Sequence, residues 1–333
     1  MTTSSSTLLL TRSDVRSLLD MDACIAAVES AFRAHAEGRT LQPAVLGTDA
    51  PPGGIFHVKA AGVRGSRSYY VAKINANFPE NPHRRGTPAI QGLIVLFDAD
   101  SGEPVAAMDS AEITSLRTAA ATGVAAKHLA LPDAATATIV GCGVQGRAQL
   151  VALSRVRALR AALAVDRDAQ AASRFAAEMS SLLGIPVRAA ADVHAAVRES
   201  DMCVTCTPSR QAVLGAGDAH AGLFIAGVGA DNHDKQELDG ALLASATVVV
   251  DVLEQCAKEG DLHHAIAAGL MRPDDVHAEL ADVVSGRKPG RTSREQVTVF
   301  DSTGTGLEDV AAAGVVYERA LAGGRGVRVS LLD

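Results

Sequence analysis

The sequence predicts an α/β protein of two domains, and three observations carry that prediction. The stretch "TIVGCGVQGRAQL", from Thr138 to Leu150, is an apolar run, then Gly141-x-Gly143-x-x-Gly146, then a helical segment. From residue 136 onward, short continuous apolar runs alternate with helices, as in a parallel sheet covered on both faces. Before it the texture differs: helical turns first, then strand-like runs broken by Gly, Pro, Asn and Asp.

Taken in order, residues 13–37 read as helix, with Ser13 as cap of a short first helix and Gly38 ending the next. Between 41 and 109, "GGIFHVKAA", "SYYVAKINANF", "AIQGLIVLFDA" and "EPVAAMD" read as strands of a mostly antiparallel sheet. "DADSGEPV" reads as a hairpin turn within it. "SAEITSLRTAAATGVAAKHLA" is helical and leads to the "LPDAAT" break. The strands that follow are "TATIVG", "RAALAVD", "IPVRAA", "DMCVTCT", "LFIAGVG", "ATVVVD" and "QVTVFD". A last helix runs from about Gly306 to Ala322.

Bulk properties bound the function. A chain of 333 residues, 47% hydrophobic, is long enough for two packed cores. A net charge of −7 with scattered Lys and Arg argues against a nucleic-acid partner. No apolar run has the length of a membrane span, and "STLLLTRSD" lacks the basic flank of a signal peptide. The expectation is a cytoplasmic protein with no membrane partner. The five cysteines are odd in number, Cys203 and Cys206 read as strand residues, and no second pair has zinc-ligand spacing. No metal is assigned.

The glycine motif has the context a dinucleotide site requires. Gly141 permits the turn, Gly143 lets the backbone approach a pyrophosphate, and the helix N-terminus after it favours that charge. Asp166, ending the next strand, can accept from both adenosine ribose hydroxyls and repels a 2′-phosphate. That favours NAD(H), while the adjacent Arg167 keeps NADP(H) open. Further on, "GVGADNHDKQELD" follows a strand and carries Asp231, Asp234, Lys235 and Glu237. A carboxylate there can take a proton as hydride leaves an amine, or simply cap the next helix.

The stretches "VAKINANFPENP", "GTPAIQGLIVLFDADSGEPVAAMDSAEITSLRTAAATGVAAKHLA", "IVGCGVQGRAQL", "GVGADNHDKQELD" and "FDSTGTGLEDVAAA" resemble the ornithine cyclodeaminase/mu-crystallin family over nearly the whole chain. The resemblance implies a Rossmann dinucleotide-binding domain, 118–305, plus a discontinuous α+β substrate-binding and dimerisation domain, 1–117 and 306–333. It implies a homodimer joined through the latter, and reactions at the Cα–N bond of α-amino or cyclic imino acids. By position, Lys73 and Arg117 look like the substrate-carboxylate pair, and two cations can fix a carboxylate so that Cα is aimed. Arg117 is carried toward the nicotinamide by its helix. Thr87 matches a position near the cofactor. Val144, Gln145 and Gly146 lie on the pyrophosphate turn, Asp166 on the ribose, Thr205 on the adenosine side, and Val228 on the cofactor-facing strand end. Asp231 matches the catalytic acid/base, Lys235 a cofactor contact, and Ser302 and Thr303 the turn over nicotinamide and substrate.

Two departures narrow the activity. Many members carry an arginine after the proline of the segment matching "LQPAVLG", whereas Ala44 follows Pro43 here. "FHVKAAG" replaces a stretch where ornithine cyclodeaminase has an acid for the side-chain amine; Lys59 there can stand in for the missing arginine. The expectation is therefore an NAD(P)-dependent amino-acid dehydrogenase or ketimine reductase. The alternatives are ornithine cyclodeaminase, which recycles NAD, and a mu-crystallin-like NAD(P)H- and ligand-binding protein.

Overall fold

The computed structural model describes residues 6–331. The chain begins with β1 (Ser6–Leu10), α1 (Arg12–Leu18), α2 (Met21–Ala36), β2 (Thr40–Ala50), β3 (Gly54–Val63) and β4 (Tyr69–Asn77). Then come α3 (Asn81–Arg85), β5 (Ile90–Asp98), β6 (Pro104–Asp109) and α4 (Ser110–Leu129). The alternating region runs β7 (Thr136–Val140), α5 (Val144–Val156), β8 (Ala161–Val165), α6 (Ala169–Leu183), β9 (Val187–Ala189), α7 (Val193–Arg198) and β10 (Met202–Thr205). It continues β11 (Arg210–Leu214), β12 (Phe224–Gly227), β13 (Gln236–Leu238), α8 (Gly240–Ser245), β14 (Thr247–Val250), α9 (Leu253–Glu259) and α10 (Asp261–Ala267). The last elements are β15 (Ala278–Glu279), α11 (Leu280–Ser285), β16 (Thr298–Asp301), α12 (Gly306–Gly323) and β17 (Val327–Ser330).

Contacts divide the chain into two compact units, Met1–Arg117 with Thr305–Asp333, and Thr118–Gly304. In the first, seven strands lie in the order β17-β1-β6-β5-β4-β3-β2, antiparallel except for β1 beside β6. Side chains alternate between the two faces of such strands. On β4, Tyr69, Val71 and Lys73 are buried while Ile74 is exposed. The buried face carries α12, whose apolar residues Leu307, Val310, Ala313 and Val316 have no exposed surface to speak of. Gly306 makes that docking close: a Cβ there would lie 2.7 Å from the carbonyl carbon of Ala60 on β3. The two helices expected over residues 13–37 are separated around Asp20, which caps α2. The cap of α1 is Thr11 rather than Ser13, in a reciprocal capping box with Asp14.

In the second unit eight parallel strands lie in the order β15-β14-β16-β12-β10-β7-β8-β9. From β7 the chain adds β8 and β9 on one side, then returns to place β10 on the other. That reversal opens a crevice beyond the carboxyl end of β7, where folds of this kind bind ligands. The core strands are apolar throughout, with Ile139, Val204, Ile225, Val249 and Val299 fully buried. Among the described residues, no helix is long and apolar enough to cross a membrane.

Candidate active site

In the first unit, alternation on β3 and β4 brings two lysines to one spot. Lys59 and Lys73 are directly opposed across the antiparallel pair, and both are buried. Arg117 of α4 is buried with them. The charges that make this tolerable come from the first turn of α12, whose helix end favours anions. Lys73 Nζ lies 2.8 Å from Asp309 Oδ1 and 2.7 Å from Oδ2. The Arg117 guanidinium donates from Nε to Asp309 Oδ1 at 2.9 Å and from one terminal nitrogen to Glu308 Oε2 at 2.7 Å. The other Glu308 oxygen accepts from the backbone N–H of Thr305, closing a capping box.

Lys59, Lys73 and Arg117 thus share one buried cluster with Glu308 and Asp309. Clustered ammonium and guanidinium donors of this kind can bind a carboxylate. The pKa of Lys73 is pushed down to about 7 by burial and by Arg117 and Lys59, against the pull of Asp309. Asp309, despite its burial, is held below the usual carboxylate range by Lys73 and Arg117. The acids Glu308 and Asp309 were missed in the sequence, where "TGLED" reads as an ordinary capped helix start. Thr87 lies half-buried in the loop that follows Gly86 at the end of α3.

In the second unit the glycine turn fits a dinucleotide. Gly141 has φ +102°, and a Cβ at Gly146 would lie 2.2 Å from the Gly141 carbonyl oxygen, so both must be glycine. Nothing approaches a Cβ position at Gly143, which starts α5 with no side-chain cap. The first-turn N–H groups are thus left for an anion arriving over Gly143. Val144 is exposed and Gln145 half-buried beside it. Asp166 is aimed by two backbone donors, Cys142 N–H at 2.8 Å to Oδ2 and Asp168 N–H at 2.9 Å to Oδ1. Each oxygen keeps a lone pair for a ribose hydroxyl. Arg167 is exposed.

Asp231 sits in the loop after β12 with its carboxylate about one-third exposed, 38%. Lys235, one helical turn on in sequence, donates to its Oδ1 at 2.5 Å, so this lysine orients the carboxylate. Val228 is buried at the start of that loop. Thr205 is buried too, and its hydroxyl is taken up by Glu237 at 2.9 Å. Ser302 and Thr303 are buried after β16, both donating to Asp251, which also accepts the Gly304 N–H. Asp251 and Glu237 were not singled out in this role from sequence. A buried acid with several donors leaves no periodic signature. The rings of His263 and His264 meet edge to face at 5.2 Å, and His264 Nε2 lies 2.8 Å from the Lys235 carbonyl oxygen. Among the described residues, no group of three or more His, Cys, Asp or Glu could hold a metal ion.

A family model described as the ornithine cyclodeaminase/mu-crystallin family matches residues 5–324. The chain belongs to that family. Among its relatives is an alanine dehydrogenase of Archaeoglobus fulgidus, 39% identical over 97% of this chain and 98% of that one. Of the solved family structures, the Thermococcus litoralis Δ1-pyrroline-2-carboxylate reductase, in complex with NADH and L-proline, superposes with a TM-score of 0.93. It is 35% identical and covers 97% of this chain and all of its own. An archaeal alanine dehydrogenase dimer with bound NAD also superposes at 0.93, with 38% identity over 98% of this chain and all of its own. The Rossmann-type domain expected from the glycine motif is therefore the family's NAD-binding fold.

Proposed function

We propose that this protein is an NAD-dependent oxidoreductase acting at the Cα–N bond of an α-amino acid or a cyclic imino acid. The observation that carries the reading is the buried cluster of Lys59, Lys73 and Arg117 beside Glu308 and Asp309, a set of cationic donors suited to an α-carboxylate. When bound, the nicotinamide supplies a hydride acceptor or donor at C4. Gly141, Gly143, Val144, Gln145 and Gly146 would hold the pyrophosphate, and Asp166 the ribose. Lys73 and Arg117, with Lys59, bind the carboxylate and fix the orientation of Cα. Asp231 handles the proton: it accepts one from the amine nitrogen as Cα loses hydride, and returns one in the reductive direction. Lys235 holds that carboxylate in place.

The second reading, ornithine cyclodeamination, needs an anion for the substrate's side-chain ammonium. The two carboxylates in the cluster are engaged by Arg117 and Lys73, and "FHVKAAG" adds only His57 and Lys59. That favours net oxidoreduction. A panel of α-amino acids with NAD+ and of α-imino acids with NADH tests the proposal. Cofactor turnover with at least one small monocarboxylic pair supports it, and turnover with none contradicts it.

We further read the protein as a homodimer. The sheet face turned away from α12 carries an apolar row, since Leu46 is registered with Val58, Val58 with Ile74, and Ile74 with Leu93. Leu46, Ile74 and Leu93 are 61%, 50% and 50% exposed. A row of this kind marks a surface that another chain covers.

A further inference from the structure

The second unit contains a chain of buried carboxylates that no ion pair neutralises among the described residues, and the reaction chemistry does not use them. Glu237, in β13, has no exposed surface. Its Oε2 accepts the Gly229 N–H at 2.7 Å and the Thr205 hydroxyl at 2.9 Å, and its Oε1 accepts the Thr207 N–H at 2.5 Å. One side chain thus ties the loop after β12 to the loop after β10. The fit is tight: a Cβ at Gly229 would lie 2.3 Å from the Thr207 carbonyl oxygen and 2.6 Å from Glu237 Oε2. Glu237 is itself held from behind. Its own N–H and that of Leu238 donate to Asp261 Oδ1, at 2.7 Å and 3.0 Å. Asp261 begins α10, and that helix start is fixed by Asp301, which accepts the Leu262 N–H at 2.9 Å.

The segment gripped in this way, residues 229–236, carries Asp231 and Lys235 and ends at the first residue of β13. Its entry is clamped by the Glu237 side chain and its exit by Asp261. We propose that Glu237 is the positioning residue for Asp231, holding the loop so that the carboxylate stands where the proton is exchanged. This rests on Asp231 as the acid/base. Only one oxygen of Asp261 is used, since Oδ2 has no hydrogen-bond partner. Burial and the neighbouring Asp301 push that carboxyl well above its usual range, which suits a neutral acid whose carbonyl-type oxygen does the holding.

The test compares Glu237→Gln, Asp261→Asn and Asp261→Ala in the full-length protein. Steady-state kinetics, NADH titration, thermal melting and amide exchange over 229–236 are followed together. Glu237→Gln turns one acceptor into a donor facing an N–H, so kcat should fall about 10- to 100-fold, the cost of a small misplacement. Exchange should accelerate most in 229–236, with NADH affinity retained and only a modest drop in melting temperature. Asp261→Asn keeps the accepting oxygen and should restore the loop protection that Asp261→Ala loses. The Asp261 pair decides the matter alone should Glu237→Gln fail to fold. A folded Glu237→Gln with parental kcat overturns the proposal, and so does a loss of protection spread evenly over the unit. Asp231→Asn, run beside them, separates the two claims: full activity there ends the acid/base reading, while exchange still reports whether Glu237 holds the loop.

Discussion

Lys73 is a lysine without exposed surface, and its proton follows its surroundings. With its pKa down to about 7 before substrate arrives, the ammonium is lost as pH rises through 7. A bound carboxylate favours the charged form, so binding takes up a proton. The Michaelis constant for the carboxylate substrate should therefore rise above pH 7, by up to about tenfold per unit, in initial-rate measurements across pH 6–9. The stability sign is opposite to that of an ordinary ion pair. Between about 7 and the ordinary lysine value of 10.5 the unfolded chain binds more protons, so this group makes the fold more stable as pH climbs. Asp231→Asn keeps size and removes proton transfer, so kcat should fall about 10²- to 10⁴-fold with NADH affinity unchanged. Arg117→Lys keeps the charge but loses the fork that spans Glu308 and Asp309, and should raise KM before it touches cofactor binding. At this scale the cations were picked out by their place in the family resemblance, and a lysine within an apolar strand and an arginine within an alanine-rich helix agree with the burial found. Their partners Glu308 and Asp309 were not, because acids in a first helical turn are commonplace.

The glycine turn separates space needed by the fold from space needed by a ligand. Gly143 has φ −83° and open room around its Cβ position, so Gly143→Ala should fold with an unchanged melting temperature. The added methyl stands where a pyrophosphate approaches, and NADH affinity should drop about tenfold or more. Gly146→Ala collides with the Gly141 carbonyl and should lower both stability, by about 1–3 kcal/mol, and affinity. Calorimetry and fluorescence titration on the two variants check this. Asp166 predicts tighter binding of NADH than NADPH; the reverse in the same titration would mean that Arg167 sets the preference. Strands β2, β11, β13 and β15 were not singled out, whereas β7, β8, β9, β10, β12, β14 and β16 were legible from their apolar runs, and β3 to β6 from strand-like runs and turn residues. β1 and β17 were not, since they pair with each other and with β6 across most of the chain. Nothing local in "STLLL" or "VRVS" announces a partner so distant in sequence.

For the whole molecule, an apolar row of Leu46, Val58, Ile74 and Leu93 in water predicts self-association. Light scattering at micromolar concentration should return twice the chain mass of 34.2 kDa. Leu46→Glu with Ile74→Lys should shift it toward one chain. Association and carboxylate binding are separable, because the row and the cationic cluster lie on opposite faces of the same sheet. Net hydride transfer to or from Cα leaves an isotopic trace. NADH deuterated at C4 is incubated with a cyclic imino acid, and, separately, a catalytic amount of NAD+ with L-ornithine. One deuterium is expected at Cα of the amino-acid product for each NADH consumed, and no ammonia from ornithine. Proline and ammonia formed from ornithine with the cofactor unchanged, and no label transferred to the imino acid, would contradict net hydride transfer.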